Sequence, residues 1–293
     1  MTKKLFFISL VLAAIAMQSS AVNVYWTGEG VDPNWMTGDN WDQYEPPYPG
    51  DLAVIDLPDV NGSEPNCTID SVVNESVGGV WVGFSQRPCY LDITGGSMTT
   101  TDAGLGFRLG VDNGTGIVRM SGGEITVNGD MAVGQGANGE GTLEITDGSI
   151  TVAGSSWLYV GHAGSIGRID LKGGTLSTFS LQMVDENGGS QVVNLSGDAQ
   201  LIIRDPRPGE IEYQILSFYA APSRNWITSY DGTGTLDVAV GPNNETIVTA
   251  IPPVCWPIPV ADLTGDCEVN FEDFAVMARE WLDCNRTDDT CPE

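Results

Sequence analysis

Apolar and polar residues alternate through the middle of the chain, and the alternating stretch recurs. Four segments between Trp81 and Met183 align: LDITGGSMTTTD, VRMSGGEITVNG, LEITDGSITVAG and IDLKGGTLSTFS. In each, an apolar pair precedes a glycine-containing doublet, at Leu91/Ile93, Val118/Met120, Leu143/Ile145 and Ile169/Leu171. One more apolar residue follows, at Met98, Ile125, Ile150 and Leu176. The doublets, Gly95-Gly96, Gly122-Gly123, Asp147-Gly148 and Gly173-Gly174, recur every 25 to 27 residues. A second mark, an apolar residue followed by Gly83, Gly110, Gly134 or Gly161, divides each period. Alternation with period two on short segments predicts strands with one buried face. A single copy cannot bury that face, whereas coils stacked about 4.8 Å apart line the apolar positions into continuous inner ladders. The pattern therefore predicts a mainly β chain: a parallel β-helix, or β-solenoid, with about three short strands per 25–27-residue coil. A propeller blade needs four strands and about 40 residues, and fits poorly.

A stack exposes its core at both ends and requires caps. Residues 22–80 read as an N-terminal cap and first coil, with Trp26, Trp35 and Trp41 among Tyr, Pro and Gly, followed by the strand LAVIDL. The plain reading of these indoles is an aromatic cap. The functional alternative is a sugar-stacking platform whose best members are Trp35 and Trp41, because flat aromatic faces suit sugar rings. Regular coils span 81–190. Over 191–251 the pattern decays: VVNLSGDAQLII keeps Val193, Leu195 and Gly197, with the next apolar residue slipped by one, and IEYQILSFY, RNWITSY, TLDVAV and TIVTAI read as closing strands. The proline run in 252–261 reads as a linker, and 262–293 as a small C-terminal loop-helix module.

The N-terminus changes the setting. Lys3 and Lys4 precede the thirteen-residue, predominantly apolar run LFFISLVLAAIAM and then QSSA, the pattern of a secretory signal cut after Ala21 (residues 1–21). The run is too short to span a bilayer, and no later stretch approaches that length. A secreted, extracellular or cell-surface protein without a membrane span in its mature chain is expected. Removing the leader takes away two lysines and no acid, so the formal charge moves from −27 to −29, and Lys172 is the only lysine left. Nucleic acid and anionic membrane are therefore poor partners. A single histidine, His162, excludes mechanisms that need two.

Six cysteines in an exported chain read first as disulfides. NCTID and PCYLD align Cys67 over Cys89 at an offset near one coil, which predicts a bridge between them. Among Cys255, Cys267, Cys284 and Cys291, a helix of about 16 Å separates Cys267 from Cys284, so Cys267–Cys291 with Cys255–Cys284 is preferred over the two other pairings.

The outward positions between the buried pairs are Asp92, Arg119, Glu144 and Asp170, whose plain reading is a solvated charge ladder. The sharper reading is a polysaccharide-binding or lyase groove with Arg119 as base and carboxylates holding calcium. A further outward column, Thr99, Thr126, Thr151 and Ser177, reads as a hydroxyl ladder that packs well on strands.

Near the C-terminus, DLTGDCEVNFEDF places oxygen donors at calcium-loop spacing: Asp262, Thr264, Asp266, Glu268 (through its carbonyl), Asn270 and Asp273 at positions 1, 3, 5, 7, 9 and 12. Phe271, Phe274, Ala278, Trp281 and Leu282 then form one helical stripe. This segment resembles the loop-helix half of a type I dockerin, the EF-hand-like module that docks secreted polysaccharide-degrading enzymes onto cohesin scaffolds. The resemblance implies one Ca²⁺ site on those six residues. Two departures count against cohesin docking: no second loop, and Phe271 and Glu272 where many dockerins carry a small hydroxyl pair; within the loop Thr264 is a weaker ligand than the usual Asn or Asp, and Cys267 replaces a glycine of positive φ. The layout as a whole also resembles exported repeat proteins of environmental bacteria such as planctomycetes, in which autotransporter-like or pectin-lyase-like solenoids carry such tails.

Together these features lead to a non-catalytic secreted or surface β-solenoid for adhesion, attachment or glycan contact. Its expected partners are a polysaccharide or a cell-surface protein, with Trp35, Trp41 and Arg119 as candidate glycan contacts and the tail as a docking element. The alternative is a polysaccharide lyase or O-glycosyl hydrolase carrying a dockerin-like module.

Overall fold

A computed structural model describes residues 21–56, 66–70, 76–84, 87–104, 106–183, 189–253, 261, 263–264 and 269–284, with side chains to Arg279 in the last stretch. Its strands follow one another coil by coil. The first rungs are β1 (Asn23–Tyr25), β2 (Leu52–Ile55) and β3 (Asn66–Ile69). Next come β4 (Gly79–Val82), β5 (Pro88–Ile93) and β6 (Ser97–Thr100), then β7 (Phe107–Val111) and the long β8 (Thr115–Val127), then β9 (Met131–Gln135) and the long β10 (Glu140–Val152). Two further coils are β11 (Trp157–His162), β12 (Ile166–Leu171) and β13 (Thr175–Thr178), and β14 (Ser180–Met183), β15 (Ser190–Leu195) and β16 (Gln200–Ile203). The chain closes with α1 (Pro208–Gln214), β17 (Ile227–Ser229), β18 (Thr235–Val240), β19 (Thr246–Ile251) and α2 (Phe271–Cys284).

These strands stack into three parallel walls. Wall 1 is the sheet β1-β2-β4-β7-β9-β11-β14. Wall 2 runs β3, β5, the first halves of β8 and β10, β12, β15 and β17. Wall 3 runs β6, the second halves of β8 and β10, β13 and β16. The chain is thus a mainly β parallel solenoid with three strands per coil, as the alternation predicts. Its rungs begin at β1, ahead of the repeat legible from Trp81.

The register sets the predicted ladders directly above one another. Leu91, Val118, Leu143 and Ile169 form one inner column, Ile93, Met120, Ile145 and Leu171 a second, and Met98, Ile125, Ile150 and Leu176 a third, all fully buried. Removing such apolar surface from water is the main force holding successive coils together. At the Asp147-Gly148 corner the β8–β10 register shifts, and Gly148 has φ 90°. A Cβ there would lie 2.7 Å from the Gly123 carbonyl of the coil below. The second doublet position therefore demands glycine, whereas the first tolerates Asp147. The one-residue slip after Gly197 is absorbed in the corner, since Leu201 still lies over Leu176.

Three expectations are corrected. The first concerns the Cys67–Cys89 bridge: both are buried thiols, not a disulfide. β3 pairs with β5 so that Cys67 faces Leu91 and Ile69 faces Ile93. That two-residue shift keeps the same inner face but leaves the cysteines diagonal, about 8 Å apart from strand rise and spacing, beyond disulfide reach. Cys89 Sγ instead donates to the carbonyls of Asp56 and Arg87, and burial raises the Cys67 thiol pKa well above its ordinary value.

The second is the strand read in IEYQILSFY, which is a helix. Pro208 starts α1, and a π-turn continues it over Ile215–Tyr219. Ile211, Ile215 and Tyr219 then recur every fourth residue on one buried face, a helical period that covers the open end of the stack. Beyond it β19 pairs antiparallel with both β16 and β18, ending the parallel series at wall 3.

The third is the sugar platform at Trp35 and Trp41. Both indoles, with Trp26, are buried in the N-terminal cap in edge-to-face contacts of 4.8 and 5.1 Å, and Trp41 Nε1 donates to the Trp35 carbonyl at 2.7 Å. No ring face is left for a ligand, and the plain reading of an aromatic cap holds. The linker's central residues, Cys255, Cys267 and Cys291 lie outside the described residues, and so does the side chain of Cys284.

Candidate functional site

Outward side chains of wall 1 form a column that the alternation did not single out. Register aligns Tyr25, Val54, Trp81, Arg108, Ala132 and Tyr159 on successive rungs. At one end of it Trp81 stacks with Phe84, centroids 6.0 Å apart and planes at 20°, and the Arg108 guanidinium lies 4.9 Å from the Trp81 centroid. At the other end Trp157 and Tyr159 are nearly parallel, at 17° and 6.1 Å, with His162 at the Tyr159 edge. Phe84 is 46% exposed and Trp157 40%. Alternation itself places Trp157 and Tyr159 on one face of β11, two residues apart, and the parallel register brings Trp81 to the same column three rungs away, about 14 Å. Ala132 between the two clusters leaves the surface low. Burial pulls the Arg108 guanidinium pKa down, and nearby Asp130 pushes it back up. Each residue of this stripe is legible in the sequence; what the sequence lacks is the register that unites them.

Wall 2 carries the charge column foreseen. Asp92, Arg119, Glu144 and Asp170 lie on consecutive rungs. Arg119 stands 3.7 Å from Asp92 and 4.7 Å from the Tyr90 centroid, and Lys172 meets Glu144 at 2.6 Å. Asp92, Arg119, Glu144, Thr94 and Thr146 line a cavity of about 340 Å³. Arg119 is thus engaged by both a carboxylate and a ring, and the column is a mixed-sign ladder with a shallow recess. The Thr99, Thr126, Thr151 and Ser177 column is also in register on wall 3.

Of the six loop positions expected to hold calcium, Thr264, Asn270 and Asp273 are described; Asp262, Asp266 and Glu268 lie outside the described residues. Asn270 and Asp273 form a reciprocal cap on α2: Asn270 Oδ1 accepts from the Glu272 amide at 2.6 Å, and Asp273 Oδ2 accepts from the Asn270 amide at 2.7 Å. Asp273 Oδ1 also accepts from the amides of Leu263 and Thr264 and from the Thr264 hydroxyl at 3.1 Å. Those amide bonds hold its carboxyl at about 2. Loop positions 3 and 12 therefore converge, and the oxygen donors suit a hard cation in type, although every described contact of Asp273 is a hydrogen bond within the protein. Among the described residues no cluster of three His, Cys, Asp or Glu gathers as a metal site. Along α2, Phe271 and Phe274 stay outside, 86% and 56% exposed.

The chain matches no known family model, no curated protein and no solved structure. Its function is therefore read from its own geometry.

Proposed function

We propose that this protein is a secreted or surface-attached, non-catalytic solenoid that contacts polysaccharide through wall 1. The observation that carries the reading is the outward aromatic stripe of half-buried Trp81 and Tyr159 with exposed Phe84 and Trp157, on a wall stiffened by in-register hydrogen bonds. Two aromatic clusters about 14 Å apart suit an extended chain of sugar rings better than a single small ligand, and Arg108, which lies over the Trp81 ring, and His162, in edge contact with Tyr159, supply donors for hydroxyls. The strongly acidic surface disfavours polyanions, so a neutral glycan is the expected class. The tail is read as a calcium-stabilised docking element on Asp262, Thr264, Asp266, Glu268, Asn270 and Asp273, in which a bound Ca²⁺ would hold the loop against α2.

The test is binding to neutral and acidic polysaccharides by affinity electrophoresis, together with a search for released sugars. Binding of a neutral glycan, weakened about tenfold (1.4 kcal/mol) by Trp157→Ala and by Trp81→Ala and left intact by Arg119→Ala, is the expected outcome. Retention of full affinity in both tryptophan variants removes the stripe as the site. A second reading, a lyase or hydrolase working in the wall-2 cavity, is favoured by the meeting of Asp92, Arg119 and Glu144 there. Turnover abolished by Arg119→Ala would establish that reading in place of the first.

A further inference from the structure

Val22 immediately precedes β1, and its backbone nitrogen is tied to the next coil. It donates to Asp51 Oδ1 at 3.0 Å, while the Val22 carbonyl accepts from the Leu52 amide at 2.9 Å. Asp51 is only 4% exposed, and its other oxygen accepts from the Tyr48 amide at 3.0 Å. Beside these groups lies a cavity of about 400 Å³ lined by Val22, Val24, Gln43, Glu45, Pro46, Tyr48 and Asp51, with Glu45 bound to the Tyr48 hydroxyl. That lining holds two carboxylates and no basic side chain. A buried carboxylate satisfied only by neutral donors is poorly compensated, and an added cation at the same point would compensate it.

The leader read from the sequence ends at Ala21, one bond before this nitrogen. We propose that cleavage after Ala21 turns the Val22 nitrogen into an α-ammonium that pairs with buried Asp51, so that removal of the leader completes and locks the first rung of the solenoid. In that hydrolysis the Ala21–Val22 amide breaks. The oxygen of water joins the Ala21 carboxylate, and both of its hydrogens end as protons on the Val22 nitrogen, which then carries three. One keeps the Asp51 bond, and the others face the cavity and Glu45. A cut one residue either way would move the ammonium about 3.5 Å along the strand and off Asp51. The lock rests on the secretion reading for its occurrence but on the rung geometry for its strength, and the two are separable.

Charged and titratable groups facing the ammonium are Asp51, Glu45 and Tyr48. The carboxylates raise its pKa above the ordinary α-amino range of about 7.7–8.0. Stabilisation is therefore fully present below about pH 8 and disappears as pH rises through the raised value.

The experiment compares full-length chains released from a fusion so that they start at Val22 or at Ala21, together with Val22-start Asp51→Asn. At pH 6.5 the Val22-start chain is expected to melt several degrees above the Ala21-start chain, with the gap closing by pH 10. The mature chain has two amines, Val22 and Lys172. With Lys172 as internal reference, Val22 is expected to acylate at least about tenfold more slowly in the Val22-start chain than in Asp51→Asn, a factor that corresponds to one pKa unit. Should Asp51→Asn fail to fold, comparison with the Ala21-start amine serves instead. Equal melting and equal acylation overturn the lock. Intact mass of the exported protein should give Val22 as first residue, and another terminus overturns the maturation step even where the engineered chain shows the lock.

Discussion

Single residues act here through the contacts that stacking imposes on them. Gly148→Ala is expected to destabilise the solenoid by about 1–3 kcal/mol in denaturant titration, since its positive φ and the Gly123 carbonyl both exclude a Cβ. Asp147→Gly, at the tolerant doublet position, should change stability little. Cys67 and Cys89 should resist alkylation in the native protein and react together on unfolding, with no disulfide mass at that pair. Asp273 is a pH reporter. Its carboxyl is held at about 2 in the fold, below the ordinary carboxylate value, so the cap it provides is fully present above about pH 4 and is lost as pH falls through 2. The amide signals of Leu263, Thr264 and Asn270 should shift in that window, and Asp273→Asn should shift them at neutral pH.

At the level of elements, what decides an element's role is which neighbour it finds. IEYQILSFY, rich in β-branched and aromatic residues, has the composition of a strand but forms helix α1 and its π-turn. Its buried positions nevertheless follow a helical period once the end of the stack supplies a flat surface to cover. Ile215→Ala is expected to cost about 2–5 kcal/mol by opening that end, against less than about 0.5 kcal/mol for exposed Tyr213→Ala, both measured by urea unfolding. The tryptophans illustrate the same dependence. Trp35 and Trp41 sit in the richest aromatic stretch of the sequence and are consumed by the cap, while Trp81 and Trp157, far apart in sequence, are carried to the same outer face of wall 1, three rungs apart. The loop before α2 reads as a calcium motif from spacing, and its described members also serve as a helix cap. Calorimetry on the full chain tests the metal: one Ca²⁺ site is expected, and Asp262→Ala and Asp273→Ala should each abolish it.

For the whole molecule, a stack of coils makes stability a sum over interfaces between neighbours, with weak points at the ends. Both ends carry special devices: the three buried indoles and the Val22–Asp51 contact at one, and α1 with the antiparallel β18–β19 pair at the other. The chain also carries a formal charge of −27, or −29 without the leader, and that self-repulsion opposes compaction. Raising sodium chloride to about 0.5 M, where the Debye length falls to roughly 4 Å, is expected to raise the melting temperature of the solenoid without calcium.

The sequence by itself determined the parallel solenoid, because strict alternation repeated at one period has only stacking as a way to bury its apolar face. It determined the ladder members for the same reason, and the second glycine of each corner doublet because its positive φ favours glycine there. It also determined the charge column of wall 2 and the donor spacing of the terminal loop. Tertiary structure alone decided the pairing of coils outside the regular repeat. A two-residue shift preserves the buried face, so hydrophobic pattern cannot distinguish Cys67 over Cys89 from Cys67 over Leu91. Tertiary structure likewise decided which aromatics face solvent and which nitrogen meets Asp51, since both depend on residues far apart in the chain being carried to one surface by the rungs between them.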